Sequence, residues 1–303
     1  MVYTVTLNPA IDYVVKVNKL DLGETNRAYD TNIVVGGKGI NVSKVLKELK
    51  IANTALGILG GFTGDYIEEN LKNEDINYNF IRIKDTTRIN VKLKEHKETE
   101  INAIGPKVSV EEKQKLLETF KVIKEEDVVV VSGSTPESLE NINLEILKLC
   151  YNKGANVVLD IANKDTLHLL KYRPILLKPN LRELEKIFKT AISSKEQLRE
   201  YGEKLLALGG QNVIISLGAK GAILLSKNQY LYGKVPKIQV KNSVGAGDSM
   251  VAGFLAGYLQ RRDIKESFAL SLACGVATAA NDTLAQSCHI EKMMKNIEIV
   301  DLN

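Results

Sequence analysis

Two glycines and an acid near the C-terminus, Gly245, Gly247 and Asp248, are the residues whose types and spacing most clearly suggest chemistry. They precede a segment with apolar residues at helical spacing. Glycines allow a tight turn and close approach of a ligand to the main chain, and the first turn of a helix attracts phosphates and oxyanions. An acid beside a bound phosphate could act as a base. The alternative is an ordinary loop in which Asp248 only caps the helix.

A second glycine motif, Gly-Gly-Lys-Gly-Ile-Asn, occupies residues 36–41. It follows a strand-like stretch at 30–35 and precedes apolar residues at i, i+3, i+4 and i+7 from Val42, a spacing that predicts a helix. Glycines at a strand-to-helix turn again suggest contact with an anion. The motif is not a Walker A loop, because Lys38 is followed by Gly39 and not by serine or threonine. The alternative is a tight connection with a lysine in solvent.

Polar residues at period two mark the segment 88–93. Arg88, Asn90 and Lys92 alternate with apolar residues, so a strand here puts two cations and an amide on one face. Such a face is either a solvated edge or one wall of an anion site. Residues 99–103 can pair with this strand as a hairpin. Asp12 follows the first strand and an Asn-Pro pair. It is either a turn residue or a ligand to a polar group, and the turn is the preferred interpretation.

Short apolar runs at 128–131, 157–159, 175–177 and 213–215 alternate with helical segments. Strands that are apolar on both faces and alternate with helices predict a parallel sheet covered on both sides. Ligands of such sheets bind beyond the carboxyl ends of the strands. The residues expected at those ends are Ser132, Asp160, Lys178, Asn180 and Ser216.

The remaining segments complete the predicted architecture. The strand-rich pieces at 13–35 and 87–103 predict a small sheet inserted into the larger body. A capping box at 109–112 opens a helix predicted to run through Ile123. A hairpin follows residues 218–221, and three helices are predicted to close the chain. No internal repeat or linker divides it.

Composition excludes several classes of protein. The 303 residues are 44% hydrophobic and 26% charged, which is typical of a globular enzyme. The net charge of +4 comes from interleaved charges, so no nucleic-acid-binding face is expected. Three cysteines without C-x-x-C spacing indicate thiols in a reducing cytoplasm. No signal peptide is indicated, and the apolar run at 268–280 is too short for a membrane span and predicts a buried helix.

Seven motifs, in their order along the whole chain, resemble those of the PfkB/ribokinase-like sugar kinases. The resemblance implies a ribokinase-like α/β fold, in which a Rossmann-type, mostly parallel sheet is covered by helices on both sides. It also implies one domain over residues 1–303, with a small β-sheet lid from about 13–35 and 87–103. The motifs are Thr-Leu-Asn-Pro-Ala-Ile-Asp at 6–12, Gly-Gly-Lys-Gly-Ile-Asn at 36–41, Thr-Arg-Ile-Asn-Val-Lys at 87–92, Ser-Gly-Ser at 132–134, Lys-Pro-Asn-Leu-Arg-Glu at 178–183, Ser-Leu-Gly-Ala-Lys-Gly at 216–221 and Val-Gly-Ala-Gly-Asp at 244–248.

The resemblance also implies roles for individual residues. Catalysis would use Asp248 as the base and Gly245, Ala246 and Gly247 as an anion hole. The sugar phosphate would be held by Asp12, Gly37, Lys38, Asn41, Arg88, Asn90 and Ser132. ATP would contact Lys178, Asn180, Ser216, Gly218, Ala219, Gly221, Gly247 and Asn281, and Mg²⁺ would be linked indirectly to Glu183. Phosphoryl transfer depends on positioned charge more than on covalent chemistry, which suits this set of residues.

Within the family, the motifs at 87–92 and 99–102 are most similar to those of 1-phosphofructokinases. This implies ATP-dependent phosphorylation of fructose 1-phosphate to fructose 1,6-bisphosphate. Tagatose-6-phosphate kinases share nearly every motif and are the alternative enzyme. A non-catalytic sugar-phosphate sensor is the alternative outside the enzymes, although retention of Asp248 argues against it.

The resemblance further implies a homodimer formed through the lid, with neither a nucleic acid nor a membrane as a partner. Two segments depart from the family pattern. Residues 161–163 read Ile-Ala-Asn where a Thr/Ser-Gly loop is common, and Ala280 and Asn281 stand where related enzymes often carry a bulkier or hydroxyl residue. The ligand contacts of these two segments therefore remain open.

Overall fold

The structure of the protein, a computed structural model, describes residues 1–96, 98–161 and 166–303. Fourteen strands lie within these residues. They are β1 (Val2–Thr6), β2 (Ala10–Lys16), β3 (Asp30–Gly36), β4 (Asn53–Gly60), β5 (Tyr78–Ile83), β6 (Arg88–Lys94), β7 (Glu98–Ile101), β8 (Val128–Ser132), β9 (Asn156–Asp160), β10 (Leu176–Leu177), β11 (Asn212–Ser216), β12 (Ala222–Ser226), β13 (Gln229–Lys234) and β14 (Glu298–Asp301).

Ten α-helices lie within the same residues. They are α1 (Lys38–Glu48), α2 (Gly61–Asn73), α3 (Val110–Thr119), α4 (Ile142–Asn152), α5 (Thr166–Leu169), α6 (Leu181–Phe188), α7 (Lys195–Ala207), α8 (Ala246–Leu259), α9 (Ile264–Ala279) and α10 (Ser287–Met294). Across the described part of the chain, no helix combines the length and the apolar character needed to cross a membrane.

The larger sheet contains ten strands in the order β14-β13-β12-β11-β10-β9-β8-β1-β4-β5. The strands from β11 to β5 are parallel, whereas β12, β13 and β14 extend the sheet as antiparallel strands. Parallel strands need crossover connections, and helices supply most of them here. The carboxyl ends of the parallel strands therefore meet along one edge of the sheet.

Both faces of this sheet are covered, as the apolar runs predict. One core packs against the face that carries α3, α4, α6 and α7, and includes Phe120 and Leu184. The other packs against α1, α8, α9 and α10, and includes Phe254 and Phe268. The segment at 268–280 lies mainly in α9, whose residues are mostly buried, so the predicted core helix is confirmed.

The smaller sheet has the order β3-β2-β6-β7 and is mixed, because β2 and β6 are parallel while the two outer pairs are antiparallel. The predicted hairpin is confirmed by the pairing of β6 with β7, although Lys97 in its turn lies outside the described residues. The strands span residues 10–36 and 88–101, close to the predicted bounds. That this sheet acts as a lid stays a prediction.

Three sequence interpretations were wrong in detail. Asp12 is not a turn residue, because it lies inside β2 with its side chain buried and paired with Asn90. The helix that opens at the capping box of Ser109 ends at Thr119 and gives way to a 3₁₀ turn. The chain does not close with helices alone, because β14 follows α10 and pairs with β13. This strand was missed because it has only four residues, none of them buried, which is a weak pattern in the sequence.

Candidate active site

A cleft of about 730 Å³ opens between the carboxyl ends of the parallel strands and the small sheet. Most of the predicted site residues line it, although they come from strands, helices and loops that are far apart in the sequence. Those that line it are Asp12, Gly37, Lys38, Asn41, Arg88, Asn90, Ser132, Lys178, Asn180, Glu183, Ser216, Gly245, Gly247 and Asp248. Ala246, Gly218, Ala219, Gly221 and Asn281 do not line this cleft.

Asp248 lies in the first turn of α8 with its side chain in the cleft and only 5% exposed. The helix N-cap is Gly245, so Asp248 is not the capping residue. Its Oδ2 accepts a hydrogen bond of 2.8 Å from the Asn41 amide. Burial, followed by the charge of Asp160, raises the pKa of Asp248 to about 6. A carboxylate with a pKa near neutrality can accept a proton from a hydroxyl group at working pH.

The backbone before Asp248 is built for close approach by an anion. Gly245 adopts φ +78°, a left-handed conformation that favours glycine. A side chain at Gly247 would bring its Cβ within 3.1 Å of the Lys178 ammonium group, so the lysine lies directly against this turn. The turn therefore combines helix N–H groups with a fixed cation.

A buried hydroxyl pair holds this turn in place and was not predicted. The Ser249 hydroxyl donates to the Gly245 carbonyl at 2.9 Å and lies 2.7 Å from the Thr278 hydroxyl. Thr278 in turn accepts from the Ala285 amide at 2.9 Å. The three contacts join α8, α9 and the loop after α9, so they fix the orientation of the first turn of α8.

Two lysines share one buried acid beside the turn. Asp160 is 2% exposed and lies 3.1 Å from both Lys38 and Lys178, and Glu183 lies 3.8 Å from Lys38. Burial disfavours the ionised form of Asp160, but the charges of Lys178 and Lys38 outweigh it and lower its pKa. Burial likewise opposes the charge on Lys38, yet Asp160, Asp248 and Glu183 raise its pKa. Lys38 therefore remains a cation.

The Gly-Gly-Lys-Gly loop forms the predicted tight connection and also lines the cleft. Gly37 and Lys38 line the cleft, as expected of a ligand-binding loop. Gly39 instead packs against β1, where a Cβ would lie 2.5 Å from the Thr6 hydroxyl. The last glycine of the loop is thus needed for the tight connection between β3 and α1.

Asn180 and Glu183 have a structural role in addition to the one that the resemblance implies. They form a reciprocal capping box at the start of α6, with bonds of 2.9 and 2.8 Å. The described residues include no cluster of three or more side chains of the types that hold a metal ion. A Mg²⁺ ion usually keeps few protein ligands and binds substrate phosphates instead, which fits a cleft that Glu183 lines.

The small sheet forms the opposite wall of the cleft. Asn90 donates to Asp12 at 2.8 Å, and Lys92 lies 2.8 Å from Glu100. The Arg88 guanidinium donates to the carbonyl groups of Asn8 and Ala103 at 3.2 and 3.1 Å. The prediction that Arg88, Asn90 and Lys92 share one face is confirmed, because all three line the cleft.

Several residues of the cleft wall were missed by the sequence reasoning. Glu100 and Asn102 lie on the same wall, and the predicted pairing of their segment with the strand at 88–93 was the available signal.

Ser132 was predicted, and its buried hydroxyl has no hydrogen-bond partner within the described residues. Asn281 instead turns back to its own helix and donates to the Ala277 carbonyl at 2.7 Å. Ala162 and Asn163, in the loop that departs from the family pattern, lie outside the described residues.

Residues 5–291 match the pfkB family of carbohydrate kinases, and the chain therefore belongs to this family. The larger sheet with helices on both faces and the separate small sheet are the ribokinase-like fold. Phosphofructokinase-2 of Escherichia coli in complex with fructose-6-phosphate has the same fold, with a TM-score of 0.90 at 23% identity over 97% of this chain and 98% of that one.

Three curated relatives align over the full length of both chains. The 1-phosphofructokinase of Bacillus subtilis (strain 168) is 44% identical. The D-tagatose-1-phosphate kinase of Bacillus licheniformis is 33% identical, and the tagatose-6-phosphate kinase of Staphylococcus epidermidis is 31% identical. All three names describe kinases that act on a ketohexose phosphate.

Proposed function

We propose that this protein transfers the terminal phosphoryl group of ATP to the 6-hydroxyl of fructose 1-phosphate, giving fructose 1,6-bisphosphate and ADP. The observation that carries the proposal is that Arg88 and Lys92 of the small sheet face the same cleft as Asp248. Lys92 is paired with Glu100 and Arg88 donates to two backbone carbonyl groups, so the remaining N–H donors of these two cations would bind the phosphate. The 44% identity to a 1-phosphofructokinase supports the choice of sugar phosphate.

The proposed reaction uses Asp248 as the general base. The 6-hydroxyl attacks the terminal phosphorus of ATP while its proton passes to the Asp248 carboxylate, and the bond from that phosphorus to the bridging oxygen breaks. Negative charge on the transferred group would be stabilised by the N–H groups at the start of α8 and by Lys38. Lys178, against Gly247, would neutralise the phosphates of the departing ADP.

ATP would lie along the carboxyl ends of β10 and β11, with Ser216 and Asn180 beside it. Gly218, Ala219, Gly221 and Asn281 would lie farther toward the base of the nucleotide, which is consistent with their position outside the cleft. Mg²⁺ would be bound mainly to the ATP phosphates, with Glu183 and Asp160 nearby. The metal would supply positive charge to the transferred group.

The residues around the sugar have proposed roles as well. Asp12, Asn41, Asn90 and Gly37 would contact the sugar ring, and Arg88 would bind its phosphate together with Ser132, whose hydroxyl lacks a partner among the described residues. A sensor without catalysis is disfavoured because the base and both lysines are present. A tagatose phosphate is the competing substrate, because the relatives at 33% and 31% identity carry those names.

A homodimer is proposed through the outer face of the small sheet. This face carries Tyr13, Ile33, Ile89 and Ile101, which are 37 to 61% exposed. With Phe62 and Tyr66 of α2, side chains of this face line an open apolar groove of about 240 Å³. β3 and β7 are the edge strands of a sheet of only four, and such a sheet needs a covered face for stability. A cytoplasmic location is also proposed, because Cys150, Cys274 and Cys288 are free thiols.

The test of the proposed function is a coupled assay with a panel of sugar monophosphates and ATP. We expect fructose 1-phosphate to give the highest kcat/KM, above fructose 6-phosphate, tagatose 6-phosphate and tagatose 1-phosphate, with free fructose inert. A higher kcat/KM for either tagatose phosphate would transfer the assignment to that substrate.

A further inference from the structure

Glu100 is the acid of the cleft wall that the proposed function leaves without a role. It lies on β7, and its Oε2 is 2.8 Å from the Lys92 ammonium group and 3.2 Å from the Asn102 amide nitrogen. Its other oxygen, Oε1, accepts no hydrogen bond from the residues that the structure describes. Lys92 has three N–H donors, of which Glu100 and Asn102 take two. This corner of the cleft therefore offers one free donor and one free acceptor side by side.

A carboxylate beside a phosphate-binding cation calls for an explanation. Glu100 would repel the substrate phosphate, and a partly exposed ion pair adds little stability. The Lys94–Glu98 pair on the same two strands has a longer separation, 3.4 Å, and does not line the cleft. In their side chains, Lys92 is 10% and Glu100 45% exposed, against 31% for Lys94 and 30% for Glu98, so what distinguishes the two pairs is their position relative to the cleft. The Lys92–Glu100 pair is therefore positioned to meet a ligand, whereas the Lys94–Glu98 pair is not.

The chemistry of the sugar indicates what the acceptor would recognise. The furanose ring of β-fructose has approximate two-fold symmetry, which exchanges its two hydroxymethyl arms. The anomeric hydroxyl is the group that breaks this symmetry. In fructose 1-phosphate it is attached to the carbon that carries the phosphorylated arm. When fructose 6-phosphate binds with its phosphate in the same place, the ring carbon that carries the phosphorylated arm has a hydrogen instead of the hydroxyl.

We propose that Glu100 accepts a hydrogen bond from the anomeric hydroxyl of fructose 1-phosphate while Lys92 binds the adjacent phosphate, so that Glu100 selects the 1-phosphate over the 6-phosphate. This inference rests on the proposed function. A site that hydrogen-bonds a substrate hydroxyl discriminates strongly against an analogue that lacks it, because the acceptor is then left facing the phosphate without a donor.

The test uses 2,5-anhydro-D-mannitol 1-phosphate, which has the same ring as fructose 1-phosphate without the anomeric hydroxyl. Because its parent ring is symmetric, its 1-phosphate and 6-phosphate are one compound. The ratio of kcat/KM for fructose 1-phosphate to that for the analogue measures what the hydroxyl contributes. We expect a ratio of about 10 to 100 in the unaltered enzyme, since the bond involves a charged acceptor.

In Glu100→Ala this ratio should fall to within about threefold of one, and the preference for fructose 1-phosphate over fructose 6-phosphate should fall with it. Glu100→Gln, whose amide oxygen can still accept, should give an intermediate ratio. The matched control is Glu98→Ala on the same strand, which should keep the ratio of the unaltered enzyme.

The outcomes separate this inference from the proposed function. If the unaltered enzyme does not phosphorylate fructose 1-phosphate, the proposed function fails and the inference fails with it. If it does, but the ratio is near one in the unaltered enzyme or unchanged in Glu100→Ala, only the role of Glu100 is rejected.

Discussion

The side-chain amide of Asn41 donates a 2.8 Å hydrogen bond to the Asp248 carboxylate, and both side chains are buried. The bond joins the start of α1 to the start of α8. It fixes one oxygen of Asp248 and, under the proposed function, leaves the other for an incoming hydroxyl. It also favours the ionised form of Asp248, because the donor stabilises negative charge.

The pH dependence of catalysis should reflect this bond. With a pKa of about 6, Asp248 loses its base form as the pH falls below 6, and kcat/KM should fall with it. Asn41→Leu has a similar volume but no donor. Its acidic limb should therefore shift upward by about one pH unit, the equivalent of one charge-assisted hydrogen bond.

The comparison between the two enzymes controls for titration of the substrate, since a phosphate monoester also ionises near pH 6. That ionisation is identical in both profiles, so a difference belongs to the enzyme. A lower rate with an unmoved acidic limb would mean that Asn41 only supports the local structure.

Asp248 should also lower the stability of the folded protein at neutral pH. Its pKa in the folded state, about 6, lies above the ordinary value of 3.8 for an aspartate, so its ionisation opposes folding. Asp248→Asn removes that charge and should raise the free energy of unfolding at pH 8 by about 2 to 3 kcal/mol. The gain should shrink at pH 5 and vanish below pH 3.8. Urea denaturation at pH 8 and pH 5 measures it, and equal gains at the two pH values would contradict the assignment.

Local patterns predicted much of the site. Gly245 and Asp248 were expected at a helix start, because a glycine that allows a tight turn and an acid in the first helical turn both depend only on neighbouring residues. Arg88 and Lys92 were expected on one face because a strand alternates its side chains. The parallel sheet followed from apolar runs such as Val128 to Val131, which are at most 2% exposed.

Long-range pairings could not be predicted in the same way. Asn41 and Asp248 are 207 positions apart, and only the packing of α1 against α8 brings them together. The Ser249–Thr278 contact depends on the crossing of α8 and α9. Asp12 was interpreted as a turn residue because Asn-Pro precedes it. The turn ends at Pro9, however, and β2 begins at Ala10.

Removing the Arg88 side chain should weaken binding of the sugar phosphate. Arg88→Ala should cost about 2 to 5 kcal/mol in sugar-phosphate binding, because a buried phosphate loses its partner, and should barely change the KM for ATP. Arg82→Ala is the matched control, since Arg82 pairs with Asp65 and Glu68 outside the cleft. A rise in the KM for ATP as large as that for the sugar phosphate would contradict a phosphate-specific role.

The outer face of the small sheet should determine the oligomeric state. Ile89→Glu puts a charge into the proposed interface and should give a monomer by light scattering at micromolar concentration. Val110→Glu on α3 changes a side chain that is 85% exposed and should leave the dimer intact. A monomeric parent protein, or a dimer that survives Ile89→Glu, would rule out this interface.

The most direct test of the account is the turnover of fructose 1-phosphate by Asp248→Asn. The amide cannot accept the proton of the attacking hydroxyl, so kcat/KM should fall by about 10²- to 10⁴-fold. ATP affinity by calorimetry should stay within about threefold of the parent value. Asp282→Asn, at an exposed acid in the loop after α9, serves as the control and should keep full activity. Turnover by Asp248→Asn within about threefold of the parent enzyme would show that Asp248 is not the base.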